Sequence, residues 1–201
     1  MIRISAILPS ALLLILVNLA TPARVDSQPL PDCEWCGADE APPTVSWQTT
    51  IAGDGEPGER LIVRGTVYRP NGVTPAAGVI LYAYHTNAKG VYPRKGNESG
   101  NARRHGYLRG WMKTDSAGRY EFRTIRPAAY PGGTNPQHIH VTVREPGKPE
   151  YWIDEFHFAD DPLLTPGQRA HLRNRGGSGI IQPSRGRGGI LEAVRNITLP
   201  E

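Results

Sequence analysis

A chain of 201 residues with 38% apolar and 21% charged residues is long enough for one globular domain with its own core, and too apolar for a disordered tail. Its 23 glycines and 19 prolines argue against long helices and for many strands and turns. Twenty-three basic against 19 acidic residues leave a formal charge of +4, and no basic block is interleaved with aromatics, so no nucleic-acid footprint is present.

At the start, Arg3 precedes an apolar run from Ile4 to Ala20 followed by small residues. This is the anatomy of a secretory signal over residues 1–27, with cleavage after Ala23 or Ser27. No later segment approaches the roughly 18 consecutive apolar residues of a membrane span. The expectation is a secreted or periplasmic protein with no membrane association once the signal is removed. The two cysteines, Cys33 and Cys36, form C-x-x-C in a proline- and acid-rich stretch from Pro29 to Pro43. Export favours a disulfide between them, and no strand-then-helix pattern frames them as a redox motif. They read as a staple on an N-terminal arm, residues 28–59, ahead of a domain spanning 60–201.

From Arg60 the pattern alternates. Leu61 to Tyr68 reads as a strand closed by the Asn71-Gly72 turn. Val79–Tyr84, Gly118–Arg123 and His138–Val143 read as further strands. Short strands separated by turns predict an all-β, antiparallel β-sandwich with long loops. One short helix is expected near the end, capped by Thr165, started by Pro166 and stopped at Gly176-Gly177. The Gly/Arg stretch Gly176 to Gly189 reads as a solvated loop.

Chemistry-bearing residues sit between the strands. In His138-Ile139-His140-Val141-Thr142-Val143, alternation puts His138 and His140 on one face and the aliphatics on the other. Their backbones stand about 6.6 Å apart, within reach of a single metal ion. H-x-H alone is weak evidence, since many surface strands carry two histidines. The polar partners upstream are Tyr92, in Gly90-Val91-Tyr92-Pro93, and Tyr130, in Pro127-Ala128-Ala129-Tyr130-Pro131. A phenol with a pKa near 10 ionises at neutral pH only beside a strongly Lewis-acidic cation, so phenol oxygen mixed with imidazole points to ferric iron over zinc. Equally, each tyrosine is compatible with an ordinary half-buried position. His157 reads as alternating outward from its strand.

Taken together, these segments resemble the intradiol ring-cleavage dioxygenases, the protocatechuate 3,4-dioxygenase and catechol 1,2-dioxygenase group. The resemblance runs from about Gly65 to Leu164. It is carried by Gly90-Val91-Tyr92, the run Thr114 to Pro127, Tyr130-Pro131, His138-Ile139-His140 and Asp161-Pro162-Leu163. It implies a non-haem Fe(III) held by Tyr92, Tyr130, His138 and His140, a small aromatic diphenol and O2 as substrates, and a cis,cis-muconate-type product. Tyr130 is then the ligand that gives way and takes a substrate proton. Two departures stand out. Asn135 occupies a position where the family usually has an arginine that stabilises anionic character on the substrate, and Glu155 stands where a glutamine is common. Arg126, Arg109 and Arg104 are the cations available to replace that charge. Two alternatives remain: a non-catalytic sandwich of the transthyretin-like or carboxypeptidase-regulatory-like kind, which lacks the Tyr/His set, and a secreted iron-binding protein without dioxygenase activity.

Overall fold

The structure, a computed structural model, describes residues 36–201. The expected signal peptide and Cys33 therefore lie outside the described residues, while Cys36 is disulfide-bonded. Among the described residues, twelve strands and two short α-helices follow in chain order: β1 (Gln48–Thr50), β2 (Arg60–Tyr68), β3 (Ile80–Tyr84), α1 (Ala102–His105), β4 (Arg109–Lys113), β5 (Arg119–Ile125), β6 (His138–Arg144), β7 (Tyr151–Trp152), β8 (Phe156–Phe158), α2 (Pro166–Ala170), β9 (Ile180–Ile181), β10 (Ser184–Arg185), β11 (Leu191–Val194) and β12 (Ile197–Thr198).

They form two sheets. One runs β1-β5-β2-β11-β10 with β12 also on β2, and the other runs β4-β3-β6-β8-β9 with β7 also on β6. The central pairs β2–β5, β3–β4, β3–β6 and β6–β8 are antiparallel, as the sequence predicts, whereas β1–β5, β11–β2, β12–β2 and β8–β9 are parallel. Alternation fixes which side chains face inward. Leu61, Val63, Val67, Tyr120 and Phe122 from one sheet meet Leu81, Ala83, Met112, Ile139, Val141, Val143, Phe156 and Phe158 from the other. Phe122 is fully buried in this layer, so its truncation to alanine costs about 3–5 kcal/mol.

Part of the segment read from sequence as an arm lies in the sandwich. β1 pairs with β5, and Ile51 and Ala52 enter the core. The turn at residues 37–40 covers the outer face of the second sheet. Both Gly37 and Ala38 donate their N–H groups to the Glu150 carboxylate, Trp111 donates its indole N–H to Gly37 O at 2.7 Å, and Glu40 pairs with Arg109 at 2.6 Å. These contacts are polar and non-local, which is why no periodicity announces them.

Two other expectations need correction. The late helix has the predicted start, a capping box between Thr165 and Gln168 with Pro166 in the first turn. It ends at Ala170 rather than running to Gly176, as His171 turns its Nδ1 back onto Gly167 O at 2.6 Å. The Gly176–Gly189 stretch is not wholly a solvated loop, because β9 pairs with β8 and buries Ile181.

Candidate metal centre

Three segments bring the site together. β6 supplies His138 and His140 on the face opposite Ile139 and Val141, which anchor the strand in the core. Just before β6, the buried Asp161 carboxylate accepts Gln137 N–H at 2.5 Å and, through its other oxygen, Leu163 N–H at 3.0 Å. This contact fixes the entry to the histidine strand and gives the Asp161-Pro162-Leu163 segment a structural role.

Tyr92 follows a tight turn in which the Asn87 side chain accepts from Lys89 and Val91 N–H, and Gly90 sits at φ +76°. Tyr130 lies in the connection from β5 to β6. The two tyrosine loops are cross-linked: Ala128 N–H donates to Asn87 O at 3.1 Å, and the Thr86 hydroxyl donates to Ala128 O at 2.7 Å. They also touch where Gly90 meets Ala129, with no room for a side chain.

The outcome is a cluster of four donor atoms. The Tyr92 and Tyr130 hydroxyl oxygens are 2.6 Å apart. The Tyr130 oxygen stands 3.2 Å from both His138 Nε2 and His140 Nε2. The two Nε2 atoms are 3.0 Å apart, and His140 Nε2 is 2.9 Å from the Tyr92 oxygen. His138 Nδ1 donates to Pro136 O at 2.6 Å, so its Nε2 carries the lone pair that points inward. Burial, and then neighbouring His140, push His138 down to about 4, which keeps it neutral at pH 7. Burial raises both phenols, Tyr92 also through its contact with Tyr130. Without a cation, both therefore stay protonated.

Such an arrangement fits a metal ion. Spacings of 2.6–3.2 Å gather all four atoms around one point, where the donors of a single ion would stand. Among the described residues no cluster of three His, Cys, Asp or Glu side chains is arranged to hold a metal. The tyrosines are what complete the donor set, and hard phenol oxygen with imidazole suits ferric iron.

Glu155 and His157 flank this cluster. Glu155 lies 3.5 Å from His140 Nδ1 and 3.6 Å from His157 Nε2. Burial works to raise its carboxyl, but the two histidine contacts outweigh it and hold Glu155 below the usual carboxylate range. His157 is buried and faces the site, contrary to the outward orientation read from alternation. The three residues of β8 are all buried, so alternation there distinguishes no solvent side.

Two cavities open beside the cluster. One, of about 410 Å³, is lined by Tyr84, Tyr92, Arg104, His105, Tyr130, His140, Trp152 and Glu155. The other, of about 380 Å³, has Asn135, His138, Glu155 and His157 in its wall. Asn135 is exposed there and brings no charge. Of the three arginines named from sequence, Arg104 lines the first of these two cavities. Arg126 is spent on Asp160 (2.8 and 2.9 Å) and Gln137, and Arg109 on Glu40. Tyr84, His105 and Trp152 had no signal in the sequence beyond aromatic residues in or near strands.

Two phenols and two imidazoles thus meet at the rim of an all-β sandwich, beside a cavity with aromatic walls. Residues 39–172 match the family described as Dioxygenase. The chain belongs to the intradiol ring-cleavage dioxygenase family. It is 34% identical over 119 residues to the protocatechuate 3,4-dioxygenase beta chain of Burkholderia cepacia, covering 56% of this chain and 50% of that one. It is 36% identical over 119 residues to catechol 1,2-dioxygenase 1 of Acinetobacter lwoffii, covering 52% and 37%. The chain thus spans half or less of the length of these relatives. Among solved structures, the dioxygenase domain of a dioxygenase–carbohydrate-binding fusion from Streptomyces sp. SirexAA-E aligns at 26% identity and a TM-score of 0.57, covering 79% of this chain and 90% of that one. Catechol 1,2-dioxygenase from Acinetobacter sp. ADP1 shares the fold at 22% identity and a TM-score of 0.60, covering 78% and 58%.

Proposed function

We propose that the protein cleaves the ring of a catechol-type diphenol between its hydroxyl-bearing carbons, incorporating both atoms of O2 to give a cis,cis-muconate-type product. Ferric iron is held by Tyr92, Tyr130, His138 and His140. The observation that carries the reading is the meeting of two phenol oxygens and two imidazole nitrogens at 2.6–3.2 Å. The dioxygenase family match and the relatives' names support it.

The iron, when bound, supplies the Lewis acidity that ionises phenols at neutral pH and activates a chelated diphenol toward O2. The chain's own residues do the rest. His138, fixed by Pro136 O, and His140, flanked by Glu155, present their Nε2 atoms from one rigid strand. Tyr130 lines both cavities, so its oxygen is placed to accept a proton from an incoming diphenol hydroxyl. Tyr84 and Trp152 give the larger cavity aromatic walls that exclude water and suit a flat ring. Arg104, at the same cavity, supplies the cationic charge that Asn135 lacks.

The test is oxygen uptake by iron-loaded protein across a diphenol panel, with ring opening followed by ultraviolet absorbance. Loaded protein is expected to show a visible tyrosinate-to-iron charge-transfer band, and Tyr130→Phe to lose band intensity and activity together. A ferric complex with no such band, or no ring-opened product from any diphenol, refutes the reading. We include export in the proposal. The apolar N-terminus and the disulfide-bonded Cys36 suit an oxidising compartment, and fractionation of the producing cells checks it.

A further inference from the structure

A further group of aromatic and titratable side chains extends from His140 and the cavity wall at Tyr84 over the outer face of the second sheet. Strand alternation puts Tyr82 and Tyr84 on that face together, and register sets each beside another ring. Tyr84 is opposite His140 on β6, and Tyr82 is opposite Trp111 on β4. The ring centroids step away from the site at 4.6 Å (His140–Tyr84), 5.5 Å (Tyr84–Tyr82) and 5.4 Å (Tyr82–Trp111). Tyr82 and Tyr84 are buried and Trp111 is half-buried, so the series runs from the interior toward solvent.

Tyr82 has a further property. Its hydroxyl is 2.7 Å from His105 Nδ1 and 3.4 Å from an Arg109 guanidinium nitrogen. Arginine can only donate, and in the tautomer with its proton on Nε2 the His105 imidazole offers Nδ1 as the acceptor for the phenol proton. A phenol is far easier to oxidise when its proton has an acceptor at hydrogen-bond distance, since no buried phenol cation is formed. Arg109 also lies 5.0 Å over the Trp111 ring, but its charge is paired with Glu40 at 2.6 Å.

We propose that Tyr84, Tyr82 and Trp111 form a relay that carries oxidising equivalents from the metal centre to the surface, with His105 taking the Tyr82 proton, and that it protects the ligand residues from peroxide. The proposal rests on reading the centre as an iron site. Hydrogen peroxide takes up two electrons and two protons to give two waters. In each of two passes, one electron leaves Tyr82 across the Tyr84 ring, which is not itself oxidised, and the Tyr82 proton crosses to His105 Nδ1. Trp111 returns an electron to the Tyr82 phenoxyl, which recovers its proton. A phenol in solution then reduces Trp111, losing one electron and one proton. The net reaction converts one peroxide and two phenols into two waters and two phenoxyl radicals.

The experiment exposes iron-loaded protein to hydrogen peroxide without diphenol. Protein radicals are read by freeze-quench electron paramagnetic resonance, oxidised residues by peptide mass spectrometry, and the metal centre by its charge-transfer band. Wild type is expected to give a protein radical and to collect oxidation at Trp111 while the band persists. Tyr82→Phe keeps the ring but has no proton to give. Its radical yield should fall and its band bleach several-fold faster, with oxidation moving to Tyr92, Tyr130, His138 and His140. Its initial ring-cleavage rate should be unchanged. Trp111→Phe, which retains Tyr82, should leave a longer-lived tyrosyl radical and carries the test if Tyr82→Phe fails to fold. Equal bleaching rates and an unchanged oxidation map in the variants overturn the relay alone. Absence of the band in wild type overturns the iron reading and the relay with it.

Discussion

The contact between the two tyrosine loops makes Gly90→Ala a sharp perturbation. Gly90 has φ +76°, and a Cβ placed on it falls 2.0 Å from Ala129 O. Non-bonded contact requires about 3.5 Å, so the loops must part by about 1.5 Å. The left-handed backbone adds about 1–2 kcal/mol and the overpacking about 1–3 kcal/mol, for a total near 2–5 kcal/mol. The 2.6 Å separation of the phenol oxygens would widen with the loops, and a loss of about 10–100-fold in ferric affinity is expected, the range seen when groups supporting a metal site are disturbed. The control is Gly132→Ala. Its φ is +66° with nothing within 4 Å of the added carbon, so it carries the backbone cost of about 1–2 kcal/mol alone. Ferric titration followed by the charge-transfer band, with thermal melting of both variants, separates the two effects. If Gly90→Ala binds iron as tightly as Gly132→Ala, the argument that this contact sets the donor spacing is wrong.

Further outcomes follow from the same geometry. Glu155→Gln removes the carboxylate beside His140 and should weaken ferric binding about 10–100-fold in a chelator competition; unchanged affinity would mean Glu155 does not support that ligand. Because burial keeps both phenols protonated before metal arrives, uptake of one ferric ion should release about two protons. Calorimetry in buffers of different ionisation heat measures that number, and affinity should climb with pH. His85 is fully buried, its Nδ1 at 2.7 Å from Thr86 O and its Nε2 at 2.6 Å from Thr124 Oγ1, and burial lowers it from 6.5 to about 4. The folded state thus binds fewer protons there, and stability present above pH 6.5 is lost as the pH falls toward 4, by up to about 3 kcal/mol. Urea midpoints across that range should flatten in His85→Gln relative to wild type.

Much of this was written in the strands. The alternation of His138 and His140 against Ile139, Val141 and Val143 is borne out in burial. The resemblance named Tyr92 and Tyr130, and the structure brings their oxygens to the same point as the imidazoles. What sequence does not carry is which neighbour crosses from another element. His157 turns inward because β8 is covered on both faces. Arg104 lines the cavity, and Arg109 and Arg126 pair with carboxylates distant in the chain. The turn at residues 37–40 is held by Glu150 and Trp111, more than seventy residues away, and no local pattern encodes such a contact.

The four donor groups come from the turn after β3, the crossover from β5 to β6, and β6 itself, so they draw on both layers of the sandwich. An ion bound there acts as a clasp at one end of two stacked leaves. Heat resistance and iron content should therefore rise and fall together, and chelation should open that end first, exposing the tyrosine turns to proteases while the opposite edge stays closed.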